Sequence, residues 1–184
     1  MMKLRKNNRG FTLVELIVST AILSIVAVAA SAFMVAGTRT YSSLNYTVRL
    51  QYEAQIAMAQ LQEYTVDCTD GIAWEVKAVT DVNGVATEQK FLYIVNGTDV
   101  HLFKFDSGLQ TLSYGKTAKA ATLTEPAYNL AAEHITNMDV DLSKDGQVGI
   151  TLQMQRNSKT YNATQTIALR NRPESADSWA ELYR

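Results

Sequence analysis

The order of apolar and polar residues divides the chain into three parts, and the first part is almost free of charge. From Phe11 to Ala36 the sequence is dominated by apolar and small residues and contains one charged side chain, Glu15. As a helix with a rise of about 1.5 Å per residue, this segment would be about 39 Å long, enough to cross an apolar layer of about 30 Å. We therefore predict a membrane-spanning helix over residues 11–36.

The second part, residues 37–70, has the periodicity of an amphipathic helix. Apolar or small residues recur at steps of three and four, as on one face of a helix. They are Leu50, Ala54, Ala57, Met58, Leu61 and Thr65. We predict that this helix continues the first one, giving a rod of about 90 Å. It should end near Gly71, where glycine can adopt the left-handed conformation that stops a helix.

The third part, residues 71–184, reads as short strands. Segments rich in β-branched and aromatic residues alternate with turn residues. They are IAWEVKAVT, KFLYIVN, DVHLFKF, LQTLSYG, ITNMDVDL, QVGITLQMQ and TYNATQTIALRN. Hairpin turns are expected at Asn96-Gly97 and Asp145-Gly146. The alternation of Val148, Ile150, Leu152 and Met154 predicts a strand with one face on a core. The predicted fold class is α+β, with a long N-terminal helix packed on an antiparallel β-sheet domain.

Two segments of this third part are less regular. Residues 116–134, KTAKAATLTEPAYNLAAEH, are predicted to form a loop or a short helical turn. The C-terminal segment RPESADSWAELYR contains Trp179 and Tyr183 four residues apart. It is compatible with a short helix docked on the sheet or with a contact to another subunit.

Charge placement predicts the orientation of the chain in a membrane. Lys3, Arg5, Lys6 and Arg9 precede the apolar run, and Arg39 follows it. The positive-inside rule then keeps the N-terminus in the cytoplasm and places the β domain on the other side. An ordinary secretory signal with a cleavage site in AVAASA (residues 27–32) is the alternative. The length of the apolar run, which continues without a break into a helical pattern, argues against it.

The remaining composition excludes several function classes. The net charge is −1, and without residues 1–10 the chain has 13 Lys and Arg against 18 Asp and Glu, a balance of −5 that disfavours nucleic-acid binding driven by overall charge. The single cysteine, Cys68, allows no intramolecular disulfide. His101 and His134 lie apart without metal-ligand spacing, and no nucleophile motif occurs. We therefore expect no metal, no cofactor and no enzymatic activity.

The stretch RGFTLVELIVSTAILSIVA resembles the N-terminus of type IV prepilins and pseudopilins. In that family a short basic leader ends in glycine, followed by phenylalanine and, four residues later, glutamate. Those positions are Gly10, Phe11 and Glu15 here. The resemblance implies that prepilin peptidase cleaves between Gly10 and Phe11, that Phe11 becomes N-methylated, and that Glu15 pairs with the N-terminal amine of a neighbouring subunit. From the physics of the residues alone, Glu15 either snorkels to the headgroups or awaits a cation from another molecule.

The implied function is that of a structural, non-catalytic subunit of a type IV pilus, a competence pilus or a type II secretion filament. Its implied partners are other pilin subunits, prepilin peptidase and an inner-membrane assembly platform, and its place is the cell membrane and then the pilus or cell surface. The chain has no proline before Pro126, which favours a minor pilin or pseudopilin, and its strand layout resembles the larger J or W types. The alternative is an adhesive or DNA-capturing module at a pilus tip with the same anchor.

Overall fold

The computed structural model describes residues 11–80, 84 and 86–183. The chain divides into two compact units, Met1–Leu44 and Asn45–Arg184. Helix α1 (Leu13–Val66) belongs to both units. The strands, all in the second unit, are β1 (Gly71–Thr80), β2 (Ala86–Asn96), β3 (Asp99–Asp106), β4 (Thr111–Ala118), β5 (Asn129–Ala132), β6 (Ile135–Asp141), β7 (Gln147–Arg156), β8 (Lys159–Ala168) and β9 (Glu174–Ala176). A short helix, α2 (Trp179–Leu182), follows them.

The strands of the second unit form two sheets. The six-stranded sheet has the order β5-β4-β3-β2-β1-β9, and the three-stranded sheet has the order β6-β7-β8. Neighbouring strands are antiparallel, except that β9 pairs with β1 in parallel. The predicted α+β class, a long N-terminal helix with an antiparallel β domain, is confirmed.

The main core lies where the C-terminal part of α1 packs on both sheets. The six residues predicted to share one helix face, Leu50, Ala54, Ala57, Met58, Leu61 and Thr65, are all buried. The predicted alternation in β7 is also confirmed, because its four apolar residues are buried while the residues between them are not. Phe103 and Phe105 are the largest fully buried side chains in this core.

A second, smaller cluster covers the opposite face of the six-stranded sheet. Successive residues of β2 point to opposite faces, so Leu92 and Ile94 enter the main core whereas Phe91 and Tyr93 enter the second cluster. Trp179 of α2 is buried in this second cluster. The C-terminal segment therefore docks on the sheet as a short helix, one of the two arrangements that the sequence allowed.

Both predicted hairpins are present. Gly97 has φ = 61° between β2 and β3, and Gly146 has φ = 70° between β6 and β7. These left-handed conformations cost glycine little because it lacks a Cβ atom. The turn chemistry of the sequence was therefore a correct guide to where the chain reverses.

The predicted end of α1 near Gly71 is wrong. The helix ends at Val66, and Gly71 is the first residue of β1, without a positive φ. The backbone N–H of Arg170 donates to the carbonyl of Val66 at 3.0 Å and thereby satisfies one carbonyl of the last turn. Asp70 already donates its N–H to Val95 of β2, so pairing with the sheet ends the helix earlier than the glycine would.

The prediction of a loop or helical turn for residues 116–134 is also wrong in part. Strand β4 continues to Ala118, and residues 129–132 form β5 at the edge of the six-stranded sheet. The pairs Tyr114–Asn129 and Ser113–Leu130 fix this short strand, with a register shift next to Leu112. A four-residue strand held by its neighbour carries too little pattern of its own to be predicted.

Candidate functional site

The start of α1 is a reciprocal capping arrangement between Thr12 and Glu15. The backbone N–H of Glu15 donates to Thr12 Oγ1 at 3.2 Å. In return, Glu15 Oε2 accepts from the Thr12 backbone N–H at 3.3 Å and from its hydroxyl at 3.2 Å. This is a capping box, in which each residue satisfies a backbone donor that the first helical turn leaves free. The carboxylate also lies at the positive end of the helix dipole.

The capping box gives Glu15 polar partners within its own chain. Among the residues that the structure describes, Glu15 forms no ion pair. The described residues use its hydrogen-bonding capacity only in part, because a carboxylate offers about four acceptor sites and they engage Oε2 alone. The geometry therefore leaves room for a cationic donor from another molecule.

The apolar part of α1 exposes its side chains all round. No residue of its most apolar 18-residue stretch is buried, and by length and composition the helix can cross a membrane. Phe11 is 75% exposed and Phe33 81%. In water such a surface is unfavourable, and lipid or the helices of other subunits would cover it.

Hydroxyl side chains within this apolar part donate back to the helix itself. Ser19 Oγ donates to the Glu15 carbonyl at 2.7 Å, Ser24 Oγ to the Thr20 carbonyl at 2.7 Å, and Ser31 Oγ to the Ala27 carbonyl at 2.8 Å. A polar group without a partner costs several kcal/mol in hydrocarbon, and these bonds remove that cost. The hydroxyl groups are therefore compatible with a membrane.

The structure places Phe11 and Glu15 at the same end of α1. Phe11 precedes the first helical residue, Leu13, and Glu15 lies in the first turn. Gly10, the residue predicted to precede the cleaved bond, lies outside the described residues. Sequence reasoning missed Thr12 as the helix cap, although Thr-x-x-Glu before an apolar run is a visible signal for it.

His101, another residue considered from the sequence, packs against aromatic side chains. The ring of His101 stacks on Tyr64 of α1 at a centroid distance of 4.6 Å, and its Nδ1 is 2.8 Å from the hydroxyl of Tyr114. Burial lowers the pKa of His101 and the ammonium of Lys116 lowers it further, whereas Asp99 acts in the opposite direction. Within the described ranges, no group of three His, Cys, Asp or Glu residues could hold a metal ion.

Cys68 is fully buried just after the end of α1. Its thiol donates to the carbonyl of Gly71 at 3.2 Å and is 3.7 Å from that of Val95. Burial raises the pKa of the thiol to about 11. The thiolate form, which is the reactive one, is therefore scarce at neutral pH.

The exposed apolar helix with the Thr12–Glu15 capping box, together with the α+β domain, is a pilin-like architecture. Residues 5–31 match the family model of the prokaryotic N-terminal methylation motif, which is the signature of type IV prepilins and pseudopilins. The match covers Phe11 and Glu15 and leaves the β domain unmatched. No curated protein and no solved structure gives a significant match to the chain.

Proposed function

We propose that this protein is a minor pilin or pseudopilin, a structural and non-catalytic subunit of a type IV filament. The observation that carries the proposal is the methylation motif at residues 5–31, which coincides with the start of an exposed apolar helix. Prepilin peptidase would cleave between Gly10 and Phe11, and the new N-terminus at Phe11 would be methylated. The subunit would wait in the membrane through residues 11–36 and then join a bundle of similar helices.

Charge placement supports an orientation with the N-terminus in the cytoplasm and the β domain outside. The four basic residues before Phe11 would hold the leader on the cytoplasmic side. The partners in this proposal are prepilin peptidase, an assembly platform in the membrane and the other pilin subunits.

Glu15 has two successive roles in this proposal. In the stored subunit, Thr12 supplies the hydrogen bonds that lower the cost of a carboxylate close to lipid. During assembly, the amine of Phe11 on a neighbouring subunit binds the carboxylate. Pairing in a medium of low dielectric relieves both charges, so correct docking would favour extraction of the subunit from the bilayer.

The mass of the mature N-terminal peptide tests the processing step. Full-length protein is expressed together with prepilin peptidase, and its N-terminal peptide is analysed by mass spectrometry. We expect a peptide that begins at Phe11 and carries one additional methyl group. A mature chain that begins near Phe33 would show that an ordinary secretory signal is present instead and would overturn the proposal.

Substitutions at Glu15 and Thr12 test the two roles of the carboxylate. We expect Glu15→Ala to be processed normally but to enter filaments poorly. Thr12→Val removes the capping hydroxyl and should reduce the stability of the helix start by about 1 kcal/mol, whereas Thr12→Ser keeps the hydroxyl and serves as the matched control. Normal assembly of the alanine variant would contradict the pairing role.

A further inference from the structure

The two sheets have four edges, and three of them are short, interrupted by charged residues or partly bonded already. In the six-stranded sheet the edge strands β5 and β9 have four and three residues. The parts of β1 and β4 that they leave unpaired contain Glu75, Lys77 and Lys116, and charges on an edge discourage pairing. In the three-stranded sheet, the outer edge of β6 is already bonded. Ile135 N–H donates to the carbonyl of Gln110 at 3.0 Å, and Lys90 Nζ donates to the carbonyl of Met138 at 3.1 Å.

The fourth edge, formed by β8, is long and open. Ten residue pairs join β8 to β7 without a register shift. The residues from Thr160 to Ala168 include no proline, no glycine and no charged side chain. Among the described residues, β8 pairs with β7 alone, and no other backbone group bonds to it between these two residues. Natural edge strands usually carry charges, prolines or bulges that prevent pairing, and β8 has none of these after its first residue, Lys159.

A groove of about 280 Å³ lies between this edge and α1. Residues 161–165 of β8 form one wall, and Ala54, Gln55 and Met58 of α1 form the other. None of these side chains is charged. Gln165 Nε2 donates to Gln62 Oε1 at 2.7 Å and joins β8 to α1. A strand placed beside β8 would therefore find free backbone partners and an uncharged surface for the side chains that face α1.

The two ends of β8 are basic. Lys159 begins the strand, and Arg170 and Arg172 follow its last residue. Arg170 pairs with Asp67 at 2.6 Å, whereas Lys159 and Arg172 form no ion pair with any described residue. If β8 of a second copy added in the antiparallel sense, its Lys159 would lie near Arg170 and Arg172. Like charges at that distance disfavour self-pairing.

We propose that the free edge of β8 is an interaction surface that binds an extended segment of another protein by strand addition. Main-chain hydrogen bonds would supply much of the affinity, as in other cases of strand addition. The charge pattern selects a segment with an uncharged centre and carboxylates at both ends. This surface is separate from the N-terminal part of α1, and the inference does not depend on cleavage at Gly10 or on the role of Glu15.

The test uses full-length protein in detergent micelles and three labelled synthetic peptides as long as β8. One peptide alternates threonine and valine and has glutamates at both ends, the second has lysines there, and the third has glutamate ends and a central proline. Binding is followed by fluorescence anisotropy at low salt. We expect saturable binding of the first peptide, binding of the second that is weaker by about tenfold or more, and no saturable binding of the third.

A double charge reversal identifies the surface. The variant Lys159→Glu with Arg172→Glu should prefer the lysine-ended peptide, whereas Lys144→Glu, which changes a charge in the β6–β7 turn, should keep the original preference. Circular dichroism of each variant verifies that the fold is intact. The proposal is overturned if the glutamate-ended peptide does not bind, if the proline peptide binds equally well, or if the double variant keeps the original preference. Self-association that competes with the peptide would also overturn it and would identify a second copy as the occupant.

Discussion

Replacement of Trp179 by alanine measures how much the C-terminal segment stabilises the β domain. This segment packs on the outer face of the six-stranded sheet, which is the face opposite the main core. The indole is 8% exposed, and its ring centroid is 5.7 Å from that of Tyr93 on β2. Its Nε1–H donates to the carbonyl of Ala120 at 3.2 Å, which also fixes the segment after β4. The side chain therefore joins α2 to the sheet and to the segment after β4.

The expected loss in the free energy of unfolding has two contributions. Truncation of a buried tryptophan to alanine costs about 3–5 kcal/mol, because apolar contacts are lost and a cavity remains. The hydrogen bond accounts for about 1 kcal/mol of this loss. Trp179→Phe keeps most of the ring contacts and removes the donor, so it should cost distinctly less than the alanine variant. A four-residue helix such as α2 has little stability of its own, so its order depends on this docking.

Urea unfolding followed by circular dichroism in the β-sheet region provides the assay. We expect Trp179→Ala to lower the free energy of unfolding of the β domain by about 3–5 kcal/mol. Leu109→Ala is the control, because Leu109 is 73% exposed and should change stability by less than about 0.5 kcal/mol. If Trp179→Ala behaved like this control, the indole would not support the isolated subunit. The contact of this segment with another subunit would then be the better interpretation.

Three further predictions concern two buried positions in the same domain, Cys68 and Gly115. Cys68 should react with a maleimide slowly at pH 7 in the folded protein and rapidly after denaturation, as followed by mass spectrometry, because burial raises the pKa of its thiol to about 11. An unfolded thiol loses its proton at lower pH, so the folded state loses stability as the pH rises from about 9 to about 11. The urea midpoint should fall more between pH 9 and pH 11 for the native protein than for Cys68→Ala. Equal falls would show that the pKa of the Cys68 thiol is not raised by folding. Gly115→Ala should lower stability by about 1–3 kcal/mol in the same urea assay, because a Cβ atom there would meet the ring of Pro126. Gly37→Ala is its control, since a Cβ atom at Gly37 meets nothing within 4 Å; equal effects of the two changes would refute the packing argument.

The parts of the fold that the sequence predicted are those with a long repeating pattern. The helix face from Leu50 to Thr65 repeats over several turns, and Val148 to Met154 alternate over a whole strand. Such patterns directly reflect burial on one side of an element, so they can be read without knowing the partner.

The parts that the sequence did not predict depend on contacts between distant residues. The helix ends at Val66 because Arg170, far along the chain, bonds to its carbonyl while the following residues pair with β2. Strand β9 has three residues and exists only because β1 lies beside it. No local pattern encodes a partner so far away in sequence.

The candidate site was easier to predict than its geometry. The spacing of Phe11 and Glu15 is a compact sequence motif, so it could be recognised directly. The exchange of hydrogen bonds between Thr12 and Glu15 required the folded helix, although the Thr-x-x-Glu spacing was available. The open edge of β8 could not be predicted, because it depends on which strands have neighbours.

The parallel pairing of β9 with β1 has a consequence for folding during synthesis of the chain. The strands β1 and β9 are neighbours, and residues 179–182, which cover part of the outer face of the six-stranded sheet, are synthesised after both. While these residues are still being synthesised, Phe91 and Tyr93 have no cover from Trp179. A growing chain therefore presents Phe91 and Tyr93 without this cover until residues 179–182 have been synthesised and docked. Chaperones and proteases can act during that interval. A product truncated before Trp179 would keep this apolar surface uncovered.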